Sequence, residues 1–184
     1  DDRFDAFVLA IALLHNRYCW RAIDLGSELV REIRLLARDH FHLTRMRTAL
    51  LNTLSTAVKM YYPEYLLFFS KFKCKTSLAF LKACPDFEAA RQLTFKQLTD
   101  FFKEQRCYRC NITKIYEVLQ QDHLTAPPPL LTTKRLRARN CLNMLAELRK
   151  DIETFEKRIE ALVTRHPDGK RFLTCPGVAY ISAA

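Results

Sequence analysis

Ala138, Cys141, Leu145, Leu148, Ile152, Phe155, Ile159 and Leu162 recur strictly by three and four residues. This is an a/d heptad seam sustained for more than three heptads, the pattern of a coiled-coil helix. Arg149, Asp151, Glu156 and Arg158 flank it at e and g. The spacing predicts one continuous helix from about Lys134 to Thr164. A helix apolar on so narrow a stripe needs a partner to bury it. It can fold back on another helix of the chain or pair with a second copy.

The helix of the chain on which it could fold back is a second long one, expected from about Asp24 to Tyr61. Leu29, Ile33, Leu36, Leu43, Leu50, Leu54 and Ala57 line one side of it. Pro63 ends it, because proline disfavours the helical conformation of the residue before it. His40 and Arg47 fall on the same stripe, where they either sit at a helix crossing, snorkel to water or touch a nucleic acid. A shorter helix is expected from Asp5 to Tyr18. Between Thr76 and Gln121 the pattern breaks into short helices with recognisable starts: a capping box at Thr94 and Gln97, and an Asn111 cap. His123 to Thr133 contains Pro127, Pro128 and Pro129 with no helical period, which predicts a stiff extended connector. With three glycines, seven prolines and no alternating strand pattern, the chain reads as all-α: long helices with a coiled-coil pair, plus a cluster of short helices.

The 184 residues carry a formal charge of +10, which favours polyanionic partners, nucleic acid first and an anionic membrane surface second. The longest apolar run, Ala6 to Leu14, is too short to span a bilayer, and of the two polyanions nucleic acid is the expected partner, not a membrane. The cations concentrate on the long helices: Arg31, Arg34, Arg38, Arg45 and Arg47 on the first, then Lys134, Arg135, Arg137 and Arg139 on the second. Such runs are either solvated faces or phosphate contacts that gain affinity by counterion release. The seven cysteines form an odd set in a chain without a secretory pattern, which suggests reduced thiols and the cytoplasm. Cys107 and Cys110 make a CxxC, but no second pair completes a zinc site.

Two short motifs carry further chemistry. Asp2 and Asp5, three apart at a helix start, could share a divalent cation, or they are first-turn acids favoured by the helix dipole. Pro176-Gly177-Val178-Ala179 before an alanine-rich segment resembles the turn of a helix-hairpin-helix, whose backbone N–H groups hold phosphate. Gly177 is the turn glycine in that reading, and Ala179 stands where a second glycine is usual. The alternative is a plain helix start at a domain edge.

Together these ends resemble a known family. Asp2-Arg-Phe-Asp-Ala6 with Leu9-Ala10 is similar to the last acidic motif of the DEDD (Piv-like) transposases of bacterial insertion sequences, the insertion sequence one-ten family of RNA-guided recombinases. Leu173 to Ala184 is similar to the opening of that family's C-terminal transposase domain, and Arg45 to Leu51 before Tyr62-Pro-Glu64 fits its helical middle. The resemblance implies an internal piece of such an enzyme. Residues 1–19 would end a RuvC-like nuclease domain, 20–126 would be a helical region, 127–165 a proline linker and coiled-coil helix, and 166–184 the start of the transposase domain. It implies that Asp2 and Asp5 are the last two carboxylates of a set that holds Mg²⁺, with the other acids upstream. The serine nucleophile would lie beyond Ala184 and would not be Ser182. It further implies DNA and a structured guide RNA as partners, homo-oligomers joined by the coiled coil, and no catalysis by this segment alone. The competing readings are a helical coiled-coil adaptor and a stand-alone RNA-binding helical protein.

Overall fold

A computed structural model describes residues 2–19, 26–108, 110–123 and 125–184, and among them it contains helices and no strand. Among the described residues ten helices follow one another: α1 (Asp2–Asn16), α2 (Glu28–Tyr61), α3 (Tyr65–Phe68), α4 (Lys75–Ala83), α5 (Phe87–Arg91), α6 (Phe95–Glu104), α7 (Ile112–Gln120), α8 (Pro128–Arg165), α9 (Gly169–Leu173) and α10 (Tyr180–Ala183). The all-α architecture of two long helices and a set of short ones is therefore present. The expected start of the second helix at Asp24 lies outside the described residues. α2 stops at Tyr61, ahead of Pro63, as the proline requires.

The proline run departs from expectation. The sequence predicts an extended connector reaching Thr133, yet α8 begins at Pro128 and runs unbroken to Arg165. The first turn of a helix has no use for its backbone N–H groups, and proline's fixed φ is already helical, so Pro128 and Pro129 start the helix instead of blocking it. The N–H of Leu131 donates to the Pro127 carbonyl at 3.0 Å, which closes that first turn.

The chain divides into two compact units, Arg38–Arg158 on the one hand and Asp1–Ala37 with Ile159–Ala184 on the other. Each long helix contributes a segment to both. In the larger unit, Leu51, Leu54, Val58 and Tyr61 of α2 share one core with Ala138, Cys141 and Leu145 of α8. The heptad seam is thus covered inside the chain, by the fold-back alternative. His40 Nε2 lies 3.4 Å from Glu156 Oε1 and ties the same two helices, as a residue at a helix crossing would.

The short helices α3 to α7 close this core with aromatic rings. Tyr62, Tyr65, Phe80 and Phe102 are fully buried, and Phe80 stacks on Phe102 at 5.8 Å. Burying rings of this size supplies much of the apolar driving force. The Tyr65 hydroxyl donates to the Ser77 carbonyl, so its polar tip is satisfied. Burial pushes the phenols of Tyr61, Tyr62 and Tyr65 well above their ordinary range, and they stay neutral. Helices α4 to α7 each begin on a side-chain cap. Cys74 accepts from Ser77 N–H, Asp86 from Ala89 N–H and Asn111 from Lys114 N–H, while Thr94 and Gln97 form the expected reciprocal box.

The smaller unit has its own core, in which Ile33 of α2 meets Ile159, Leu162 and Val163 of α8, with Leu173, Tyr180 and Ile181 packed against them. Gly169 is dictated by close approach: a Cβ there would stand 1.9 Å from the Val163 carbonyl oxygen. α1 buries no residue, and Phe4, Phe7, Leu9 and Leu14 are each more than 60 % exposed.

Candidate nucleic-acid interface

The cationic run of α8 is divided by helix geometry. At 3.6 residues per turn, Lys134 and Arg137 share a side, and Arg135 and Arg139 point to another. Lys134 and Arg137 line a groove of about 260 Å³ with Asn52, Thr56 and Met60 of α2. Asparagine and threonine side chains beside two cations can donate to phosphate oxygens, the mixture that backbone contacts use. Arg135 and Arg139 line a second groove of about 480 Å³ with Leu81, Lys82 and Asn143.

Arg135 already has a partner. Its Nη1 donates to Asp86 Oδ2 at 2.8 Å, and Asp86 Oδ1 accepts the Ala89 N–H at 2.9 Å. Asp86 is 8 % exposed, so one buried carboxylate caps α5 and holds the arginine of α8 across the core edge. The cationic run predicts Arg135 as a phosphate contact, and nothing in that run points to Asp86. The available signal was Pro85-Asp86 ahead of Phe87-Glu88, a helix-start pattern. Lys134, Arg137 and Arg139 make no ion pair among the described residues.

The α2 arginines are dispersed. Arg34 lines a small groove of about 210 Å³ with His166 and Phe172 in the smaller unit. Arg38 is exposed, and Arg45 sits 5.8 Å over the Phe41 ring, a cation–π arrangement. Arg47 lines a wide groove of about 550 Å³ that also holds Lys73, Lys75 and Arg149. Lys73 donates to Asn52 Oδ1 at 3.0 Å, and Arg149 pairs with Glu153 at 2.9 Å. Lys73 and Lys75 lie in the turn before α4 and its first residue, where no helical charge run marked them in the sequence.

Asp2 and Asp5 stand in the first turn of α1, both exposed. Among the described residues no group of three or more His, Cys, Asp or Glu side chains converges as a metal site. Two carboxylates leave most of the octahedral shell of Mg²⁺ to water, so the residues present do not by themselves make a site for it. Gly177 has φ +80°, a left-handed conformation that favours glycine, and a Cβ there would meet open space. Ala179 is extended at φ −109°, so that position needs no glycine. The turn leads into α10, a single turn from Tyr180 to Ala183, and Ser182 within it is exposed.

These features define a cationic all-α module with grooves along its long helices. Residues 1–63 match the model of a transposase family, the DEDD transposases of IS110 type. This stretch is similar to that family, and the matched region ends at Pro63, just beyond the end of α2. No curated protein and no solved structure matches the chain. No described helix is long and apolar enough to cross a membrane.

Proposed function

We propose that this chain is a nucleic-acid-gripping module of a cytoplasmic DNA transposase, acting on DNA with a structured guide RNA and catalytically incomplete alone. The observation that carries the reading is the family match over residues 1–63, which contains Asp2, Asp5 and the α2 arginines. The grip is assigned to Lys134, Arg137 and Arg139 on α8, with Arg34, Arg38, Arg45 and Arg47 on α2 adding to the field. These cations contact phosphates, which positions a nucleic acid without reading its sequence. Gly177 is assigned a backbone approach to phosphate. Asp2 and Asp5 would contribute two carboxylates toward Mg²⁺ once further acids complete the set, and the metal would supply charge stabilisation at a cleaved phosphodiester. Homo-oligomers joined through the coiled coil belong to the same proposal. Because α2 already covers the seam, such joining exchanges α8–α2 contacts between copies instead of adding a new seam.

The test is binding of duplex DNA and of folded RNA across a salt series, for the wild type and for Lys134→Ala/Arg137→Ala/Arg139→Ala. The wild type should bind both with a steep salt dependence and little sequence preference. Each phosphate contact removed should reduce the salt slope by about 0.9 on duplex DNA. Equal affinity and equal slope for the two proteins would favour the coiled-coil adaptor, whose charge serves solubility. RNA binding with no DNA binding would favour a stand-alone RNA-binding protein.

A further inference from the structure

The CxxC that completes no zinc site occupies the loop between α6 and α7, and its two sulfurs meet. Arg106 takes φ +51°, its N–H donates to the Lys103 carbonyl at 2.9 Å, and the Cys107 N–H donates to the Phe102 carbonyl at 2.9 Å. This tight wrap over the end of α6 turns the chain back toward α7, whose start is fixed by the Asn111 cap. Cys107 Sγ and Cys110 Sγ consequently lie 2.7 Å apart, both half-buried and packed against the aromatic core. A disulfide bond measures about 2.05 Å, so less than about 1 Å of movement joins them.

We propose that Cys107 and Cys110 form a reversible dithiol–disulfide site that exchanges with low-molecular-weight disulfides. The Cys107 thiolate attacks one sulfur of the external disulfide, forming a mixed disulfide and expelling one thiolate, which takes a proton. Cys110 then gives up its proton and attacks the Cys107 sulfur, closing the intramolecular bond and expelling the second thiol. The protein dithiol is oxidised by two electrons, and the external disulfide is reduced to two thiols. Burial, with the Cys107 thiol beside it, pushes the Cys110 thiol up to about 12, so Cys110 holds its proton until the mixed disulfide has formed. Cys74 is a third thiol close enough to act electrostatically on Cys110, but its sulfur is engaged in capping α4 through the Ser77 N–H. The remaining thiols are separate: Cys84 and Cys141 are buried, and Cys19 and Cys175 are exposed.

The test equilibrates the whole chain with glutathione disulfide, quenches with acid, alkylates free thiols and maps the peptides by mass. The peptide holding Cys107 and Cys110 should lose the mass of two hydrogens and resist alkylation, and dithiothreitol should restore both thiols. Cys110→Ser should instead trap glutathione on Cys107. Alkylation of Cys107 and Cys110 as complete as that of Cys19 and Cys175 would overturn the assignment. So would a Cys74–Cys110 bond. The wild-type map decides the matter even where a variant fails to fold.

Discussion

Asp86 does two jobs with its two oxygens, one local and one tertiary. One oxygen caps α5 and the other holds Arg135, so removal of the carboxylate should loosen the junction of α5 and α8. Loss of an aspartate cap costs about 1 kcal/mol, and Arg135, half exposed, falls back on water at small further cost. Asp86→Ala should therefore destabilise the chain by about 1–2 kcal/mol in denaturant melts. The same pair separates Arg135 from its neighbours in function. Arg137→Ala should weaken nucleic-acid binding and lower its salt slope, whereas Arg135→Ala should chiefly lower stability. Equal losses of binding from the two single variants would mean that the Asp86 pair opens to let Arg135 reach phosphate. The sequence showed four cations within six residues but not that one of them answers to a carboxylate 49 positions away. Only the tertiary fold brings those groups together.

At the level of elements, the seam of α8 is the strongest commitment in the chain. Leu148 and Ile152 are 7 % and 3 % exposed, buried within the chain itself. Leu148→Ala should cost about 2–5 kcal/mol, the range for deleting a buried leucine side chain. Leu148→Asp with Ile152→Asp should abolish cooperative melting, because two carboxylates would have to be buried without partners. An unchanged melt for the double aspartate variant would mean that the seam does not hold the fold. The three-four spacing made the helix and its buried side legible, because that period has one geometric meaning. It could not choose between α2 and a second copy, since either presents an apolar stripe. The Thr94 and Asn111 caps were legible for the same reason, each being a local pattern with one hydrogen-bonding solution. The helical start at Pro128 was not. Three prolines in a row satisfy an extended chain and a helical first turn equally well, and packing of the following residues selects the helix.

For the whole molecule, two opposed surface properties set the behaviour in solution. The charge of +10 repels copies from one another, while α1 leaves Phe4, Phe7, Leu9 and Leu14 open to water. The apolar residues of α1 face several directions, so no single neighbouring element could have been inferred for it from periodicity. Added salt acts oppositely on the two properties: it screens the repulsion and strengthens apolar association, while it weakens phosphate contacts. The chain should accordingly associate more as salt rises, over the same range in which it releases nucleic acid. Phe7→Ser with Leu14→Ser keeps the net charge, so it should suppress the salt-promoted association and leave the salt slope of binding unchanged. Sedimentation of both proteins across the salt series, beside the binding titration, measures the two effects separately. A defined dimer whose mass ignores both salt and the serine substitutions would instead point to exchange of α8 between copies. Association that grows with salt but persists in the serine variant would remove α1 from the account.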